Sequence, residues 1–582
     1  MKFLSYLIVT IVLVLSLSLP LVFNYVGVFS APTSVYAIEI LNRGHLPTSD
    51  FLSAQKYWRS AIRFEANYPL PSMLISEFLL ITGISKEFAI FLPIVGLACI
   101  IYFILAKKIL CERKNSQYEL FFSSLFYAFV ALNNLHANYV GRATLGSILF
   151  AFFLYSYLTH LDYYLKRSSR LSWFILSFLF ALASGYTYYT STFGIMILTT
   201  SMWLLLLILF STAQRRFVVP ELTIAVTTAF LLIRNPLLET VASGFSLTLF
   251  VNNLITYAKA MLRLETKQNP AWLLFYGYVH MDPLTQQLHQ IVFFIKLISI
   301  ISVIVAHLIY RPKINLRIVY KNTIKSNVKL ESWASIRRIW LFSLLVLLYS
   351  ISGIGYLSVG ALFPLGGMIK YGLIFLFFMV NDLFQNYSTN NLTKSKNSVW
   401  KVFSHILGLP KNMALNRQNT LPRILVIFVA LTVLMGCWGA IREGWLYGSA
   451  AAKPFGYYKV HSVSDFLTAH ASNETYITVT GDAYYTSIIF FKAFLNGQAH
   501  NVKPEPITKD AITLYESLTT GNMNSFFANM TKRNIHYFLT VDMSEPLWGD
   551  GWGYAVMLTN FNTISQQSDL VYDGYLQLYQ FR

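Results

Sequence analysis

Lys370 is the residue whose surroundings most directly suggest chemistry. It lies within a long apolar run, in the stretch Gly366-Gly367-Met368-Ile369-Lys370-Tyr371. An ionisable side chain inside a hydrocarbon layer costs free energy, so such a residue is by default a candidate for a functional site. The alternative is that its ammonium group extends to the membrane surface and only anchors the helix.

Four carboxylates lie in the loop that follows the first apolar run: Glu39, Asp50, Glu65 and Glu77. Each has a structural interpretation beside a functional one. Asp50 suits the N-cap of the helix-like segment after it. Glu39 and Glu77 suit the wet faces of amphipathic helices, and Glu65 could pair with a neighbouring arginine.

The composition is that of a membrane protein. Of 582 residues, 55% are hydrophobic and 12% are charged, whereas soluble proteins carry about 25% charged residues. Apolar runs long enough to cross a hydrocarbon core of about 30 Å recur along the chain. The formal net charge of +19 comes mainly from short loops between these runs, which indicates anchoring on the inner membrane face and no nucleic-acid partner.

The hydrophobic runs predict about eleven spans. They lie near residues 4–28, 87–106, 119–134, 143–162, 171–187, 190–211, 217–233, 290–310, 340–357, 359–384 and 424–444. The first run has no clear cleavage site and is interpreted as an uncleaved span. Because the Lys and Arg residues concentrate in alternate loops, the N-terminus is predicted to be cytoplasmic and the C-terminal segment to lie outside.

Two outer loops and a tail remain outside the spans. The loops cover residues 29–86 and 234–289, and the first is expected to lie on the membrane surface as interfacial helices. Residues 445–582 alternate helical and strand patterns and end in a hairpin signal at Asp573-Gly574. The sequence therefore predicts a polytopic α-helical membrane domain over 1–444, followed by a small extracytoplasmic α/β domain over 445–582.

The cysteines and acidic residues suggest no cofactor. Cys99 and Cys437 lie in apolar runs and Cys111 in a basic loop, so no disulfide framework is expected. No cluster of metal ligands is visible, and we predict no metal. Asn473 and Asn529 each begin an Asn-x-Thr sequon that could accept a glycan on the outer side.

Five short stretches follow one another in a recognisable order between the predicted spans. They are residues 39–47 (EILNRGHLP), 67–71 (NYPLP), 79–84 (LLITGI), 139–146 (YVGRATLG) and 185–190 (GYTYYT). The order resembles the GT-C superfamily of membrane glycosyltransferases, especially archaeal and bacterial relatives of the protein-mannosyltransferase and aminoarabinose-transferase kind. The likeness covers the whole chain in layout and these stretches in detail.

The resemblance implies sugar transfer from a polyprenyl-phosphate donor to a protein, lipid or glycan acceptor on the outer membrane face. Such a reaction needs a carboxylate to deprotonate the acceptor hydroxyl and cations to neutralise the departing phosphate. Asp50 is the first choice for the base, with Glu39 and Glu65 as alternatives. The cations that the resemblance implies are Lys370, Arg142 and Arg234, and the two arginines could instead be membrane anchors.

Two further hypotheses stay open. In the resembled family an acidic residue stands just after the first span, where this chain has Phe29-Ser30-Ala31-Pro32-Thr33. This difference favours a non-catalytic scaffold whose outer domain binds a partner. A transporter fits less well, because transporter folds often contain internal repeats and none is evident here.

Overall fold

The computed structural model describes two parts of the chain, one before residue 234 and one after residue 455. The described residues are 2–23, 30–47, 66–90, 93–110, 117–133, 142–165, 171–209, 219–233, 456–470, 477–481, 491–496, 502–506, 520–541, 562–573 and 576–581, with a few isolated positions. Apart from Val251 and Ile255, the outer loop over 234–289 and the four predicted spans after it lie outside these residues.

The first part is helical. In chain order its helices are α1 (Lys2–Phe23), α2 (Ser30–Arg43), α3 (Leu70–Thr82), α4 (Pro93–Ala98), α5 (Ile101–Leu110), α6 (Gln117–Asn133), α7 (Arg142–Leu165), α8 (Leu171–Gly185), α9 (Tyr189–Leu209) and α10 (Val219–Ile233). Within the described part of the chain, two stretches are long and apolar enough to cross a membrane, Thr144–Asp162 and Tyr189–Leu207.

Helix α7 lies at the centre of this helical part. It packs against α5, α8 and α9, while α10 packs against α8 and α9. The side chains of Phe150, Leu154, Tyr157 and Leu161 are almost completely buried, and their spacing of three to four residues places them on one helix face. Burial of this apolar face holds α7 among its neighbours.

The span predicted over 87–106 is interrupted in the structure. A 3-10 turn over Lys86–Ile90 precedes α4, and α5 begins only at Ile101. Between α4 and α5 a backbone hydrogen bond spans three residues instead of the four of an α-helix: the Ile100 N–H donates to the Leu97 carbonyl at 3.1 Å. Such a 3-10 step breaks the regular helix.

The second part contains a five-stranded sheet. Its strands are β1 (Ile477–Gly481), β2 (Val502–Pro506), β3 (Tyr537–Val541), β4 (Ser568–Asp573) and β5 (Leu576–Phe581), in the spatial order β2-β1-β3-β5-β4. Strands β2, β1 and β3 are parallel, and β3, β5 and β4 are antiparallel. Two further helices, α11 (Gly456–His470) and α12 (Met523–Lys532), belong to this part.

Strand β2 was not predicted from the sequence. It contains Pro504 and Pro506, which normally argue against a strand. Because β2 is at the edge of the sheet and pairs only with β1 among the described strands, the prolines need not donate to a second neighbour. The strand is therefore compatible with its sequence only at this edge.

Asn529 is half-buried in this second part. Its amide nitrogen donates to the Ser517 hydroxyl at 3.0 Å, and its side chain lies on α12. A glycan would be attached to this same nitrogen. The folded structure therefore disfavours Asn529 as an acceptor, whereas Asn473 lies outside the described residues.

Candidate functional site

Helices α2 and α3 form a tightly packed pair. The Ser72 hydroxyl at the start of α3 donates to the Thr33 carbonyl at 3.0 Å. Residues 33–38 of α2 are at most 2% exposed. The small side chains of Thr33, Ser34 and Ala37 permit this close contact. Because every residue from 33 to 38 is buried, this part of α2 has no face exposed to water. Protein therefore encloses α2 over 33–38, and the location of this loop on the membrane surface stays a prediction.

The sequence predicts that Glu39 lies on a solvated surface. In the structure it does not. Its side chain is only 12% exposed and forms an ion pair with Arg43, one turn later on α2. Glu77 on α3, in contrast, is exposed, in agreement with its interpretation as the wet face of that helix. The Arg43 guanidinium occupies one carboxylate oxygen of Glu39, so Glu39 would have to leave this ion pair before it could accept a proton there.

Two of the resembling stretches meet in space. The Leu70 N–H, in the stretch 67–71, donates to the Tyr186 carbonyl, in the stretch 185–190, at 3.3 Å. The rings of Tyr68 and Tyr189, from the same two stretches, have centroids 6.2 Å apart. Tyr68 is 5% exposed. The turn between α8 and α9 therefore supports the chain segment that enters α3.

Arg142, from a third resembling stretch, joins this meeting point. It is the first residue of α7 and is only 9% exposed, and its guanidinium interacts electrostatically with the phenol groups of Tyr68 and Tyr189. We call Tyr68, Arg142 and Tyr189 the tyrosine–arginine cluster. A mere membrane anchor would expose its guanidinium to the aqueous surface, so the burial of Arg142 disfavours that interpretation.

The cluster has the chemistry of an anion site. Burial raises the pKa of Tyr68, and the nearby Arg142 charge offsets only part of that effect. The phenol therefore stays protonated and can donate a hydrogen bond at neutral pH. A guanidinium carries five donors in a planar fork that suits phosphate oxygens, and its charge persists when it is buried.

Two glycines in the resembling stretches allow the helices around the cluster to approach closely. A Cβ atom on Gly146 of α7 would lie 2.8 Å from the Tyr188 Cβ and 3.0 Å from the Ser191 Oγ. A Cβ atom on Gly185 would lie 2.3 Å from the Leu231 Cδ1 on α10. Both glycines are therefore packing residues, and Gly146 lies one turn along α7 from Arg142.

We expect Gly185→Ala to lower the stability of the purified protein by about 1–3 kcal/mol, the usual cost of overpacking. The conflict is with the end of a side chain, so Leu231→Ala in the same protein should restore most of the lost stability. Thermal unfolding of the single and double variants in lipid nanodiscs measures this coupling. Additive losses in the double variant would contradict the contact.

Gly146→Ala provides the matched comparison. The added methyl group would meet the Cβ atom of Tyr188. Any substitution of Tyr188 other than glycine would retain this Cβ atom. Leu231→Ala should therefore leave the Gly146→Ala defect unchanged, because it removes no atom near Gly146.

The sequence identified only part of this cluster. It selected Arg142 but treated Tyr68 and Tyr189 merely as members of the resembling stretches. The aromatic residues could have been recognised as a group only once the three stretches were known to meet.

Asp50, Glu65, Arg234 and Lys370 lie outside the described residues. Among the residues that are described, no group of three or more His, Cys, Asp or Glu side chains could hold a metal ion.

An ion pair marks the opposite end of α7. The Lys108 ammonium, in the last turn of α5, lies 2.8 Å from the Asp162 carboxylate near the end of α7. The charge pattern predicts that both of these helix ends are on the cytoplasmic side. The tyrosine–arginine cluster, at the start of α7, is at the end predicted to be outside.

Neither a protein-family model nor a curated protein sequence matches this chain. Among solved structures, the chain is similar to the archaeal oligosaccharyltransferase AglB from Archaeoglobus fulgidus in complex with an inhibitory peptide and a dolichol-phosphate. The identity is 11%, the TM-score is 0.47, and the match covers 93% of this chain and 69% of that one.

A second similar structure is ArnT from Cupriavidus metallidurans bound to undecaprenyl phosphate, with 12% identity and a TM-score of 0.39. That match covers 99% of this chain and 97% of the other. TM-scores below 0.5 do not establish a common fold.

Proposed function

We propose that the protein is a membrane glycosyltransferase of the GT-C kind. It transfers a sugar from a polyprenyl-phosphate-linked donor to a protein, lipid or glycan acceptor on the outer membrane face. The observation that supports this proposal is the tyrosine–arginine cluster, which brings three separate resembling stretches together around one buried cation.

In this reaction an acceptor hydroxyl attacks the anomeric carbon of the donor sugar. A carboxylate takes the hydroxyl proton, the new bond forms to the acceptor oxygen, and the bond from the anomeric carbon to the phosphate oxygen breaks. The polyprenyl phosphate leaves with that electron pair. Arg142 stabilises the negative charge that develops on the phosphate, and the Tyr68 hydroxyl donates to one of its oxygens.

The carboxylate comes from the first outer loop. Glu65 stands three residues before Tyr68, so their α-carbons are at most about 11 Å apart along the chain. Asp50 stands three residues after Pro47, whose carbonyl accepts a bond from the Tyr36 hydroxyl at 3.5 Å. Both acids are therefore tethered to the α2–α3 pair, whereas Glu39 is already neutralised by Arg43.

The second candidate function is a non-catalytic scaffold. It is favoured by the ion pair of Glu39 and by the lack of a carboxylate over residues 29–33. An ion pair at 3.6 Å joins Glu87, in the 3-10 turn after α3, to Lys492 in the second part of the chain. It also fits a scaffold, since it connects the two parts of the chain.

A transfer assay separates the two functions. The purified protein in nanodiscs would be given polyprenyl-phosphate hexoses with a radiolabelled sugar, together with a membrane extract as the source of acceptors. A transferase forms a labelled product and releases polyprenyl phosphate in equal amount. No release from any donor, with the protein folded and the lipid incorporated, would favour the scaffold.

A further inference from the structure

Glu221 is a buried carboxylate that the proposed transfer reaction does not use. It lies in the first turn of α10 and is 0% exposed. Neither of its carboxyl oxygens accepts a hydrogen bond from another residue that the structure describes. An ionised carboxylate in such an apolar setting, without a partner, costs several kcal/mol.

One polar group close enough to Glu221 to interact with it is the hydroxyl of Tyr157 on α7. Tyr157 is 0% exposed, interacts electrostatically with Glu221, and makes no hydrogen bond through its hydroxyl within the described part of the chain. His160 follows one turn later on α7, with its ring 5.7 Å from that of Phe174. Glu221 and Tyr157 therefore form a small polar island in the helix packing.

No described cation is available to neutralise Glu221. The helices that pack against α10 are α8 and α9, and their only titratable residue is Tyr189, at the far end of α9. On α7 the charged neighbour is Asp162, which is paired with Lys108 at 2.8 Å. These residues provide neither a salt bridge nor a set of metal ligands for Glu221.

The island is separate from the tyrosine–arginine cluster. Arg142 and Tyr157 are fifteen residues apart on α7, which corresponds to about 22 Å along a helix axis. Glu221 and Tyr157 thus lie towards the inner end of the bundle, while the transfer reaction is placed at the outer end.

We propose that Glu221 is a proton-binding site, whose carboxyl group is protonated in the folded protein at neutral pH and exchanges that proton with water at the inner end of the bundle. Gain of the proton forms an O–H bond on the carboxyl group, and loss of the proton transfers it to water. The ionised form places a charge between α7 and α10, so it requires water or a cation to enter there. Whether the Glu221 carboxyl group carries a proton is therefore linked to how the helices pack at the inner end of the bundle.

Infrared spectroscopy tests the proposal directly. A protonated carboxyl group has a carbonyl stretch at higher frequency than a carboxylate. The wild-type protein at neutral pH should show such a band, Glu221→Gln should lack it, and Tyr157→Phe should shift it because a nearby dipole is removed. A wild-type spectrum identical to that of Glu221→Gln in this region would overturn the proposal, since Glu221 would then be ionised.

Chemical labelling gives an independent measurement on the intact protein. A lipid-soluble carbodiimide reacts with a carboxyl group only in its protonated form. At neutral pH, peptide mass spectrometry should find the adduct on Glu221 and not on the exposed Glu77, which serves as the control. Equal labelling of the two residues, or labelling of neither, would contradict a selectively protonated Glu221.

Stability provides the third comparison. Glu221→Gln preserves shape and neutrality, so its unfolding temperature in nanodiscs should match that of the wild type. Glu221→Ala should unfold at a lower temperature, because it leaves a cavity. Equal losses in Gln and Ala would show that the negative charge has a stabilising cationic partner and would overturn the proposal.

Discussion

Arg142→Met should weaken the binding of undecaprenyl phosphate by about 30-fold to about 4,000-fold. Removing one member of a buried, hydrogen-bonded charge pair costs about 2–5 kcal/mol, and each 1.4 kcal/mol corresponds to about tenfold in affinity. Arg142 is 9% exposed, and its guanidinium interacts with Tyr68 and Tyr189. Of the three residues of the cluster, Arg142 is the one that carries a positive charge. Native mass spectrometry of the protein in nanodiscs measures the change in affinity.

Two variants control this experiment. Arg142→Lys keeps the charge but loses the planar fork of donors, so its affinity should be intermediate. Lys108→Met removes a cation of the opposite end of the bundle, where Lys108 pairs with Asp162, and it should bind the lipid as the wild type does. Equal losses in Lys108→Met and Arg142→Met would mean that the effect comes from total charge and not from the cluster.

Asp50→Asn should abolish sugar transfer, with a loss of about 10²–10⁴-fold in rate, the usual contribution of a general base. An amide cannot accept the proton of the acceptor hydroxyl at neutral pH, but it has nearly the same shape as the carboxylate. The protein should therefore remain folded and should still bind undecaprenyl phosphate. Transfer from a labelled polyprenyl-phosphate hexose measures the rate.

Glu65→Gln and Glu39→Gln complete the set. If Asp50→Asn keeps its activity and Glu65→Gln loses it, the base is Glu65, which is tethered beside Tyr68. Glu39→Gln should have a small effect, because Glu39 already pairs with Arg43. Full activity in all three variants would exclude the first outer loop as the source of the base and would direct the search to residues 234–289.

The apolar pattern of the sequence predicted where these helices lie, but it did not predict how they pack against one another. Long runs of Leu, Phe and Ile predicted the helices α7 and α9 within a few residues, because burial and backbone hydrogen bonding in an apolar layer favour helix wherever such runs occur. The same reasoning missed the break near Ile100, where the composition stays apolar and only the hydrogen-bond pattern changes.

The environment of Glu39 shows a different limit. Its stretch, residues 34–41, is amphipathic and therefore resembles a surface helix. Whether the polar side of α2 faces water or another helix depends on α3, which is separated from it by more than twenty residues. The contact of Ser72 with Thr33 is a tertiary interaction, and no local pattern encodes it.

The cluster itself shows why short stretches can predict a site only in part. The sequence indicated that residues 67–71, 139–146 and 185–190 belong together by resemblance, and it selected Arg142 as a cation. The roles of Gly146 and Gly185 follow only from the helix crossings, where a single methyl group would meet Tyr188 or Leu231. Physical proximity, not composition, therefore defines which residues form the site.

The most direct test of the proposed function is an experimental structure of the protein in lipid with undecaprenyl phosphate added. We expect the phosphate group beside Arg142 and Tyr68, with Lys370 as a second cation and with Asp50 or Glu65 within hydrogen-bond reach of the acceptor position. A phosphate bound away from Arg142, or a cluster closed by protein side chains with no acid facing it, would contradict the transferase and support the scaffold.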